Sequence, residues 1–402
     1  MKKLLRITTV PLSLEKLLGE QLRFMNQHFE VTAVSADKKE LERVAQKFGV
    51  KSYHVEMTRK ITPIQDLKAI LKLYQFLKKE KPEMVHTHTP KAGLVGMIAA
   101  QLAGVPVRLH TVAGLPLMEA TGMKRIVLNI VEKITYACAH QVYPNSKGLY
   151  DFILQNSYTS ADKLKVIGEG SSNGIDTSYF SLEQIKNEKQ LQLKQQLNIQ
   201  PNDFVFIFVG RLVSDKGINE LVQAFQNLET RNQESEPLIS SPKSLVSSKV
   251  PKLLLVGPLE AELDPLEEKT IKEITTNPNI ISVGFQKDVR PYFAIANALV
   301  FPSYREGFPN VVMQAGAMEL PSVGSDINGC NEIITHGVNG LIVPPKDAEA
   351  LAAAMEQLLN DEALYRELKK NARSIIAERY EQHVVWNALL TEYRMLLQES
   401  GG

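Results

Sequence analysis

Residues 204–225 read FVFIFVGRLVSDKGINELVQAF and contain the pattern that decides the fold. An uninterrupted apolar run ends at Gly210, a short polar loop follows, and apolar residues return at helical spacing from Ile218. A run of this kind predicts a strand that is buried on both faces and is followed by a helix. The segment is therefore one strand–loop–helix unit of a parallel sheet, with its loop at the carboxyl end of the strand.

The same unit recurs along the whole chain. Upstream, six apolar runs precede helical patterns, which we predict at 13–28, 39–47, 64–79, 91–103, 121–138 and 147–156. Downstream, further runs precede helices that begin near residues 218, 261, 292, 309 and 347. Alternating strands and helices specify parallel sheets that are covered on both faces. The predicted fold class is α/β, with two doubly wound Rossmann-like domains that face a cleft.

The length of 402 residues exceeds one ordinary core and predicts two domains. We place the first domain at residues 1–170 and the second at residues 171–379. A final helix within residues 380–402 has no strand of its own and can pack back on the first domain. Residues 229–251 combine serine, proline and charge without periodicity, which is typical of a loop insertion.

Charge is balanced over the chain but unevenly distributed. Lys and Arg total 46 against 45 Asp and Glu, a net charge of +1, so the composition gives no reason to expect nucleic acid as a partner. Residues 1–170 hold 25 basic and 15 acidic residues, whereas the remainder holds 21 and 30. Either the basic part faces an anionic partner such as a membrane surface, or the asymmetry is only uneven solubilising charge.

Cysteine use and hydropathy restrict the cellular setting. Cys138 and Cys330 lie far apart and lack the spacing of a zinc module, so we expect neither a disulfide framework nor a metal finger. The N-terminal apolar stretch is interrupted by Arg6, which is atypical of a signal peptide. The longest apolar run, residues 94–107, is shorter than the roughly 18 residues of a membrane span. We expect a cytoplasmic protein that is at most peripheral on the inner face of the cell membrane.

Two loops at the carboxyl ends of strands in the second series contain candidates for chemistry. The loop GRLVSDKG, residues 210–217, brings Arg211 and Lys216 to the start of a helix, where two cations suit a diphosphate. An ordinary basic surface loop is the alternative. The loop FPSYREGFPN, residues 301–310, presents Glu306 beside the start of another helix.

The backbone of this second loop suits an anion. The amides of Gly307, Phe308 and Asn310 precede or begin the helix and lack helical partners, whereas Pro309 has no amide to offer. A carboxylate beside an anion site is unfavourable unless it serves the ligand, for example by accepting hydrogen bonds from sugar hydroxyls. The two loops therefore offer a plausible diphosphate site and a carboxylate that can serve the ligand.

These loops resemble the donor site of glycosyltransferase family 4, whose members have the two-domain GT-B fold. In the first half, VHTHTPKAGLVG at 85–96, RLHTVAGLP at 108–116 and PNSKG at 144–148 resemble the subgroup that builds bacterial capsule, O-antigen and lipid-linked oligosaccharides. The segment SSNGID at 171–176 has the same resemblance. The likeness extends over essentially the whole chain.

The resemblance implies a retaining glycosyltransferase that requires neither a cofactor nor a metal ion. Its donor is a nucleotide sugar, expected to be a UDP-linked N-acetylhexosamine or hexose. Its acceptor is a polyprenyl-diphosphate-linked glycan of surface polysaccharide biosynthesis. Two alternatives remain, namely a UDP-sugar epimerase on the same fold and a weakly active donor-binding subunit that serves a partner enzyme.

The family's donor-site roles map onto matching positions of this chain. Arg211 and Lys216 would neutralise the donor diphosphate, the 307–310 segment would hold its β-phosphate and sugar, and Glu306 would bind sugar hydroxyls. The family pattern Glu-x7-Glu has Gln314 in its second position here. A glutamine keeps an acceptor oxygen for the nucleotide ribose but loses the charge; an ordinary polar helix residue is the alternative.

The first domain supplies the candidate acceptor side. The resemblance implies that His110 contacts the donor sugar or its phosphate near the reacting centre, with a structural histidine as the alternative. His88 and Lys91 are candidates for acceptor binding, because they flank the start of the helix that follows MVHTHT. His86, His88 and His110 lack a nearby carboxylate to complete a metal site, so we predict none.

Residues 112–139 contain an apolar stripe that is interleaved with Lys124, Arg125 and Lys133. Such a stripe is typical either of buried core or of a helix that rests on anionic lipid.

Overall fold

The structure is a computed structural model that describes residues 1–118, 120–234, 249–260, 262 and 264–400. The chain forms two compact units. Unit 1 comprises Met1–Gly174 and Gln382–Gly402, and unit 2 comprises Ile175–Glu381. These boundaries lie four residues after the predicted division at 170/171 and two residues after the predicted division at 379/380.

Within its described residues, unit 1 is built on one parallel sheet of six strands. The strands are β1 Lys3–Ile7, β2 Glu30–Ser35, β3 Lys51–His54, β4 Met84–Thr87, β5 Val107–Val112 and β6 Gln141–Pro144. Their order across the sheet is β3-β2-β1-β4-β5-β6. The helices are α1 Pro11–Ser13, a π-helical turn Leu14–Leu18, α2 Glu20–Asn26, α3 Lys38–Phe48, α4 Pro63–Glu80, α5 Pro90–Ala103, α6 Gly122–Cys138 and α7 Lys147–Gln155, with 3₁₀ turns at Pro116–Met118 and Ala161–Lys163.

Unit 2 repeats the plan, again with six parallel strands in its described residues. The strands are β7 Asp203–Val209, β8 Val250–Val256, β9 Ile280–Ser282, β10 Ala298–Phe301, β11 Ser322–Ser325 and β12 Gly340–Val343, in the order β12-β11-β10-β7-β8-β9. The helices are α8 Asn187–Gln196, α9 Ile218–Glu234, α10 Glu268–Thr276, α11 Arg290–Ile295, α12 Asn310–Ala317, α13 Cys330–Ile333, α14 Ala348–Asn360 and α15 Glu362–Tyr380, with 3₁₀ turns at Leu182–Gln184 and Ser214–Lys216. The last helix of the chain, α16 Gln382–Glu399, belongs to unit 1.

Both sheets have the strand order of a doubly wound fold, so the predicted fold class is confirmed. In each sheet the chain starts at a central strand, builds outward, and then returns to build on the other side. The reversal lies between β1 and β4 in unit 1 and between β7 and β10 in unit 2. Loops leave these neighbouring strands in opposite directions, and the crevice between them is where such folds bind ligands.

Several elements differ from the sequence-based predictions. The helix predicted at 13–28 is divided by the π-helical turn, which ends at Gly19 with a φ of 50°. The helix predicted near residue 261 begins at Glu268, and α15 was absent from the prediction because no strand precedes it. The predicted insertion at 229–251 falls largely on residues 235–248, which lie outside the described residues.

Helix α16 packs in unit 1 through polar as well as apolar contacts. The hydroxyl of Tyr393 lies 2.5 Å from Nδ1 of His86, and both side chains are fully buried. The indole N–H of Trp386 donates to Oδ1 of Asn173 at 2.8 Å. The final helix thus covers one face of the first sheet. With it, unit 1 holds 26 basic and 17 acidic residues, a net charge of +9.

Candidate active site

The two loops predicted to bind the donor meet at the strand reversal of unit 2. Lys216 ends the 3₁₀ turn after β7, and Glu306 lies in the loop after β10. The Lys216 Nζ atom is 2.5 Å from Oε1 of Glu306, and the two side chains are 18% and 19% exposed. Ser303 Oγ donates to the same carboxylate oxygen at 3.1 Å. The fold therefore joins two charged groups that are 90 positions apart in sequence.

A glycine permits this close approach of the two loops. Gly217 has a φ of 69°, and a Cβ atom at this position would lie 2.1 Å from the carbonyl oxygen of Pro302. No side chain fits there without separating the loops. An ion pair between Arg305 Nη2 and Asp215 Oδ2, at 3.1 Å, ties the same loops together nearer the solvent.

A third loop, which follows β11, forms hydrogen bonds with the backbone of the segment that begins at Glu306. Asn328 Nδ2 donates to the carbonyl oxygens of Glu306, at 3.0 Å, and Gly307, at 2.6 Å. Gly329 has a φ of 79°, and a Cβ atom there would lie 2.8 Å from the Gly307 oxygen. Neither Asn328 nor Gly329 is among the site residues predicted from sequence. Their signal was the Asn-Gly pair just beyond the strand of LPSVGS, because Asn-Gly marks a tight turn.

Backbone donors converge at the start of α12. Within the described residues, the N–H groups of Gly307, Phe308 and Asn310 form no hydrogen bond to backbone or side chain. The Phe308 ring packs against Tyr380, with the ring centroids 5.4 Å apart, and Pro309 is the residue before the first helical turn. The amides are therefore free at a helix N-terminus, beside the ammonium group of Lys216.

Two predicted donor-site residues lie outside this cluster. Arg211 Nη1 pairs with Oε2 of Glu260 at 3.0 Å, and the Arg211 side chain is 46% exposed. Gln314 occupies the fifth position of α12 and is partly buried. The structure gives neither residue a contact with the Lys216–Glu306 pair, so their roles in donor binding stay predictions.

Cys330, at the start of α13, lies near the Lys216–Glu306 pair and is fully buried. Burial and the negative charge of Glu306 raise the pKa of its thiol far above the ordinary value, although Lys216 opposes this shift. The thiol is therefore protonated and inert. Cys138 is also free and buried.

His110 occupies the core of unit 1 and does not project from the end of its strand. It is 2% exposed, and its Nδ1 atom lies 2.7 Å from the hydroxyl of Thr87. Burial lowers the pKa of its imidazole to about 4, so the ring is neutral at pH 7. A Cβ atom at Gly93 of α5 would lie 2.6 Å from the ring. This environment is that of a packed structural histidine, and a catalytic role for His110 stays a prediction.

The other two histidines lie on the opposite face of the first sheet. His86 contacts Tyr393 of α16, and Nε2 of His88 accepts a hydrogen bond from Arg6 at 2.9 Å. Burial and the positive charge of Arg6 lower the pKa of both imidazoles well below the usual value. The described residues contain no group of three or more His, Cys, Asp or Glu side chains that could hold a metal ion.

Lys91, the candidate acceptor ligand, forms an ion pair. Its Nζ atom is 2.5 Å from Oδ2 of Asp66, and the two side chains are only 11% and 13% exposed. Sequence reasoning leaves open that Lys91 is an ordinary solvated lysine, and this pairing and burial show that it is not. Any acceptor phosphate at this position must compete with the Asp66 carboxylate.

The apolar stripe at 112–139 faces solvent along most of α6. Ile126, Ile130 and Ile134, one turn apart, are 52%, 53% and 40% exposed, and Met123 is 74% exposed. The prediction that this stripe is buried core is wrong for these side chains. The buried face of α6 is the one that carries Thr135 and Tyr136. In the described part of the chain, no helix combines the length and apolarity needed to cross a membrane.

The arrangement in unit 2 can bind an anionic ligand that also carries hydroxyl groups. One cation and a set of free amides suit phosphate oxygens, and one carboxylate suits hydroxyl donors. Lys216 and Glu306 neutralise each other across 2.5 Å. A ligand that has both chemical groups can replace this mutual contact without leaving either charge unpaired.

Family models match both units of the chain. A model of glycosyl transferases group 1 matches residues 189–375, and a model of the glycosyl transferase 4-like domain matches residues 18–170.

Individual proteins agree with these matches. The capsular polysaccharide biosynthesis glycosyltransferase CapM of Staphylococcus aureus is 33% identical over 401 residues, which are 100% of this chain and 99% of CapM. The UDP-Gal:alpha-D-GlcNAc-diphosphoundecaprenol alpha-1,3-galactosyltransferase of Escherichia coli is 27% identical, over 81% of this chain and 78% of its own. Anabaena Alr3699/HepE, solved with UDP and glucose, superposes with a TM-score of 0.75 at 19% identity, over 98% of this chain and 100% of its own. This last likeness shows the GT-B fold alone.

The packing of His110 against Gly93 can be tested by a double-mutant cycle. Alanine favours a helix over glycine by roughly 1 kcal/mol, yet Gly93→Ala should lower the free energy of unfolding by ~1–2 kcal/mol, because the new methyl group overlaps the imidazole. In the His110→Ala background the same change should stabilise. Urea unfolding measures all four proteins, with Gln101→Ala on the exposed side of α5 as the control. Equal effects of Gly93→Ala in the two backgrounds would contradict this placement of His110.

Proposed function

The chain belongs to the glycosyltransferases described by the group 1 and 4-like models, and from this premise we propose that it transfers a sugar from a UDP-sugar to a lipid-linked glycan in surface polysaccharide biosynthesis. The single observation that carries the proposal is the Lys216–Glu306 pair beside the free amides at the start of α12. These groups match the two chemical parts of a nucleotide sugar, since the diphosphate requires cationic and N–H donors and the sugar requires a hydroxyl acceptor.

Each group has a distinct role in the proposed reaction. Lys216 and the amides of Gly307, Phe308 and Asn310 stabilise the negative charge that grows on the diphosphate as the sugar leaves. Glu306 accepts hydrogen bonds from the sugar hydroxyls and holds the ring in position. Its carboxylate is already engaged by Lys216 and Ser303, which suits a positioning role better than proton transfer.

We propose that transfer proceeds with retention at the anomeric carbon and without a divalent ion. The cation and the helix N-terminus supply the positive charge that a metal ion supplies at other diphosphate sites. The N-acetylhexosamine or hexose donor and the polyprenyl-diphosphate acceptor are part of the same proposal. The names of the relatives support it, because the Escherichia coli enzyme uses UDP-Gal and a diphosphoundecaprenol-linked acceptor.

Unit 1 is proposed to meet an anionic membrane surface through its helices α4, α5 and α6. These helices form one layer, since α5 packs against both of the others. Apolar side chains of α4 are exposed in the same layer as the α6 stripe, with Ile64 at 75% and Leu67 at 58%. The layer is also basic. Of its three acidic residues, Asp66 is paired with Lys91, Glu80 is paired with Lys3, and Glu132 is buried, so lysines and arginines dominate its surface charge. Exposed apolar and basic side chains in one layer favour binding to anionic lipid.

If this donor site is correct, both members of the Lys216–Glu306 ion pair are needed for transfer. Glu306→Gln and Lys216→Met should each lower kcat/KM by about 10²- to 10³-fold, and Lys216→Met should also weaken UDP binding. Radiolabelled transfer from a panel of UDP-sugars to a membrane lipid extract measures the activity, with and without a chelator. Lys249→Met removes a comparable pair with Glu362, 2.6 Å apart in the same unit, and should leave activity unchanged.

Near-normal transfer by both site variants would refute the assignment. Omitting the acceptor separates the alternatives, because sugar interconversion by the protein alone would identify an epimerase. If turnover appears only after a second protein is added, the chain is a donor-binding subunit.

The membrane surface is tested by sedimentation with phosphatidylglycerol vesicles at low and high salt. The double variant Lys124→Ala/Arg125→Ala should bind about 30-fold more weakly at low salt, since each basic residue near such a surface contributes roughly 1 kcal/mol. Ile130→Glu should also weaken binding, whereas Leu191→Glu in unit 2, where the native side chain is 61% exposed, should not. Failure of the native protein to bind these vesicles at low salt would rule out the surface.

A further inference from the structure

Unit 1 contains a fully buried arginine without a carboxylate partner. Arg6 of β1 is 0% exposed, and its guanidinium donates to Nε2 of His88 at 2.9 Å and to Oε1 of Gln21 at 2.5 Å. Both partners are neutral, because burial and Arg6 itself keep the pKa of His88 well below its usual value. An arginine stays charged in proteins, and a buried charge without a counter-charge is strongly unfavourable. The site therefore lacks an anion.

Unpaired donors point into the space beside this guanidinium. Within the described residues, Arg6 Nη1 and His88 Nδ1 are buried without any hydrogen-bond partner. Since Nε2 of His88 accepts from Arg6, the proton of the neutral imidazole lies on Nδ1, which makes Nδ1 a free donor. The hydroxyl of Ser172 and Oδ1 of Asn145 are unpaired in the same way. The site thus offers three donors and one acceptor.

These groups line one small cavity. Its volume is about 20 Å³, which is roughly the room of one water-sized group. The polar lining also includes Thr111 and Ser171, and no Asp or Glu contributes to the wall. Ser172 is partly exposed, so the cavity opens to solvent beside this residue. The cavity can therefore admit one oxygen of a larger anion, with the rest of the anion remaining at its mouth.

The cavity lies at the strand reversal of the first sheet. Arg6 is the fourth residue of β1, and His88 directly follows β4, the two strands between which the chain changes direction. The Lys216–Glu306 pair occupies the same topological position in unit 2. A cation at this crevice is well placed to bind a ligand, and Arg6, unlike Lys216, has no carboxylate of the protein to neutralise it.

We propose that Arg6, His88, Ser172 and Asn145 form a phosphate-binding site in unit 1. The guanidinium, the imidazole N–H and the hydroxyl bind one anionic oxygen of the phosphate inside the cavity, and Asn145 forms part of the polar wall. A halide is a single atom and, unlike a phosphate, has no further oxygens that can remain at the mouth of the cavity. The phosphate belongs either to free inorganic phosphate or to a phosphate-bearing substrate, and the second source rests on the proposed function.

The fluorescence of a tryptophan near this site can be used to follow binding. Trp386 is the chain's single tryptophan, and the indole donates to Oδ1 of Asn173, which also accepts from Nε2 of Gln21 at 3.3 Å. Gln21 in turn accepts from Arg6, so the tryptophan is three hydrogen bonds from the guanidinium. Occupation of the cavity should therefore change the tryptophan fluorescence.

The test titrates inorganic phosphate into the full-length protein at constant ionic strength and follows Trp386 fluorescence and the Tm. The native protein should show a saturable response and a rise in Tm, because phosphate stabilises the state that binds it. Arg6→Met should abolish both effects. It should also be at least as stable as the native protein without phosphate, because an uncompensated buried charge has been replaced by an apolar chain. Arg108→Met, which alters a half-buried arginine bound to carbonyl oxygens, should retain the response.

Two further variants keep the result interpretable. Ser172→Ala changes a partly exposed residue and should weaken phosphate binding about five- to tenfold, the effect of one hydrogen bond of ~1 kcal/mol. Lys216→Met removes the proposed donor site but should leave the Trp386 response intact, so the two proposals can fail separately. The phosphate site would be overturned by a flat titration of the native protein, by an unchanged response in Arg6→Met, or by an equal response to chloride.

Transfer kinetics then distinguish the two sources of phosphate. A rise in the KM for the lipid-linked acceptor in Ser172→Ala, without a change in the KM for the donor, would identify the acceptor's phosphate as the ligand. An unchanged acceptor KM together with phosphate binding would identify the free ion.

Discussion

The reversal of strand order in each sheet is the constraint on which the rest of the structure depends. Because neighbouring central strands send their loops in opposite directions, a crevice opens at the carboxyl ends of β7 and β10 and at those of β1 and β4. In unit 2 the crevice is bridged by the Lys216–Glu306 ion pair, and it is narrow enough that only glycine fits at position 217. In unit 1 it contains Arg6 and His88. Each unit therefore places a positive charge where its backbone topology leaves space for a ligand.

The two crevices differ in how their charge is balanced. Lys216 has a carboxylate partner and is partly exposed, so its pair can open for a ligand with phosphate and hydroxyl groups. Arg6 has only neutral partners and is fully buried, so its charge has no counter-charge at that site. The two units also differ in the net charge of their surfaces. Unit 2 is acidic overall and depends on local cations to bind a diphosphate, whereas the basic unit 1 carries the exposed apolar helices that suit anionic lipid.

Much of this could be predicted from sequence because the signals are local. The apolar run before Gly210 predicts a buried strand, and a loop at its carboxyl end follows from parallel topology. The side of the sheet on which each histidine lies could not be predicted, because it depends on strand register. Thr87 is paired with His110, so these two side chains share the side covered by α5. His86 lies on the other side and contacts α16. The Asp66 partner of Lys91 and the clamp by Asn328 depend on contacts between distant segments. The orientation of the α6 stripe was undetermined because periodicity identifies an apolar face but not what covers it.

We propose that the nucleotide part of the donor binds at the strand reversal of unit 2. Hydrogen–deuterium exchange with and without UDP tests it most directly, because the amides of Gly307, Phe308 and Asn310 have no partner in the described structure and should exchange rapidly. UDP should slow exchange in the loops 211–217 and 306–310 and leave the interior strands of both sheets unchanged. Binding of UDP without protection of these loops, or with protection confined to other loops, would contradict it.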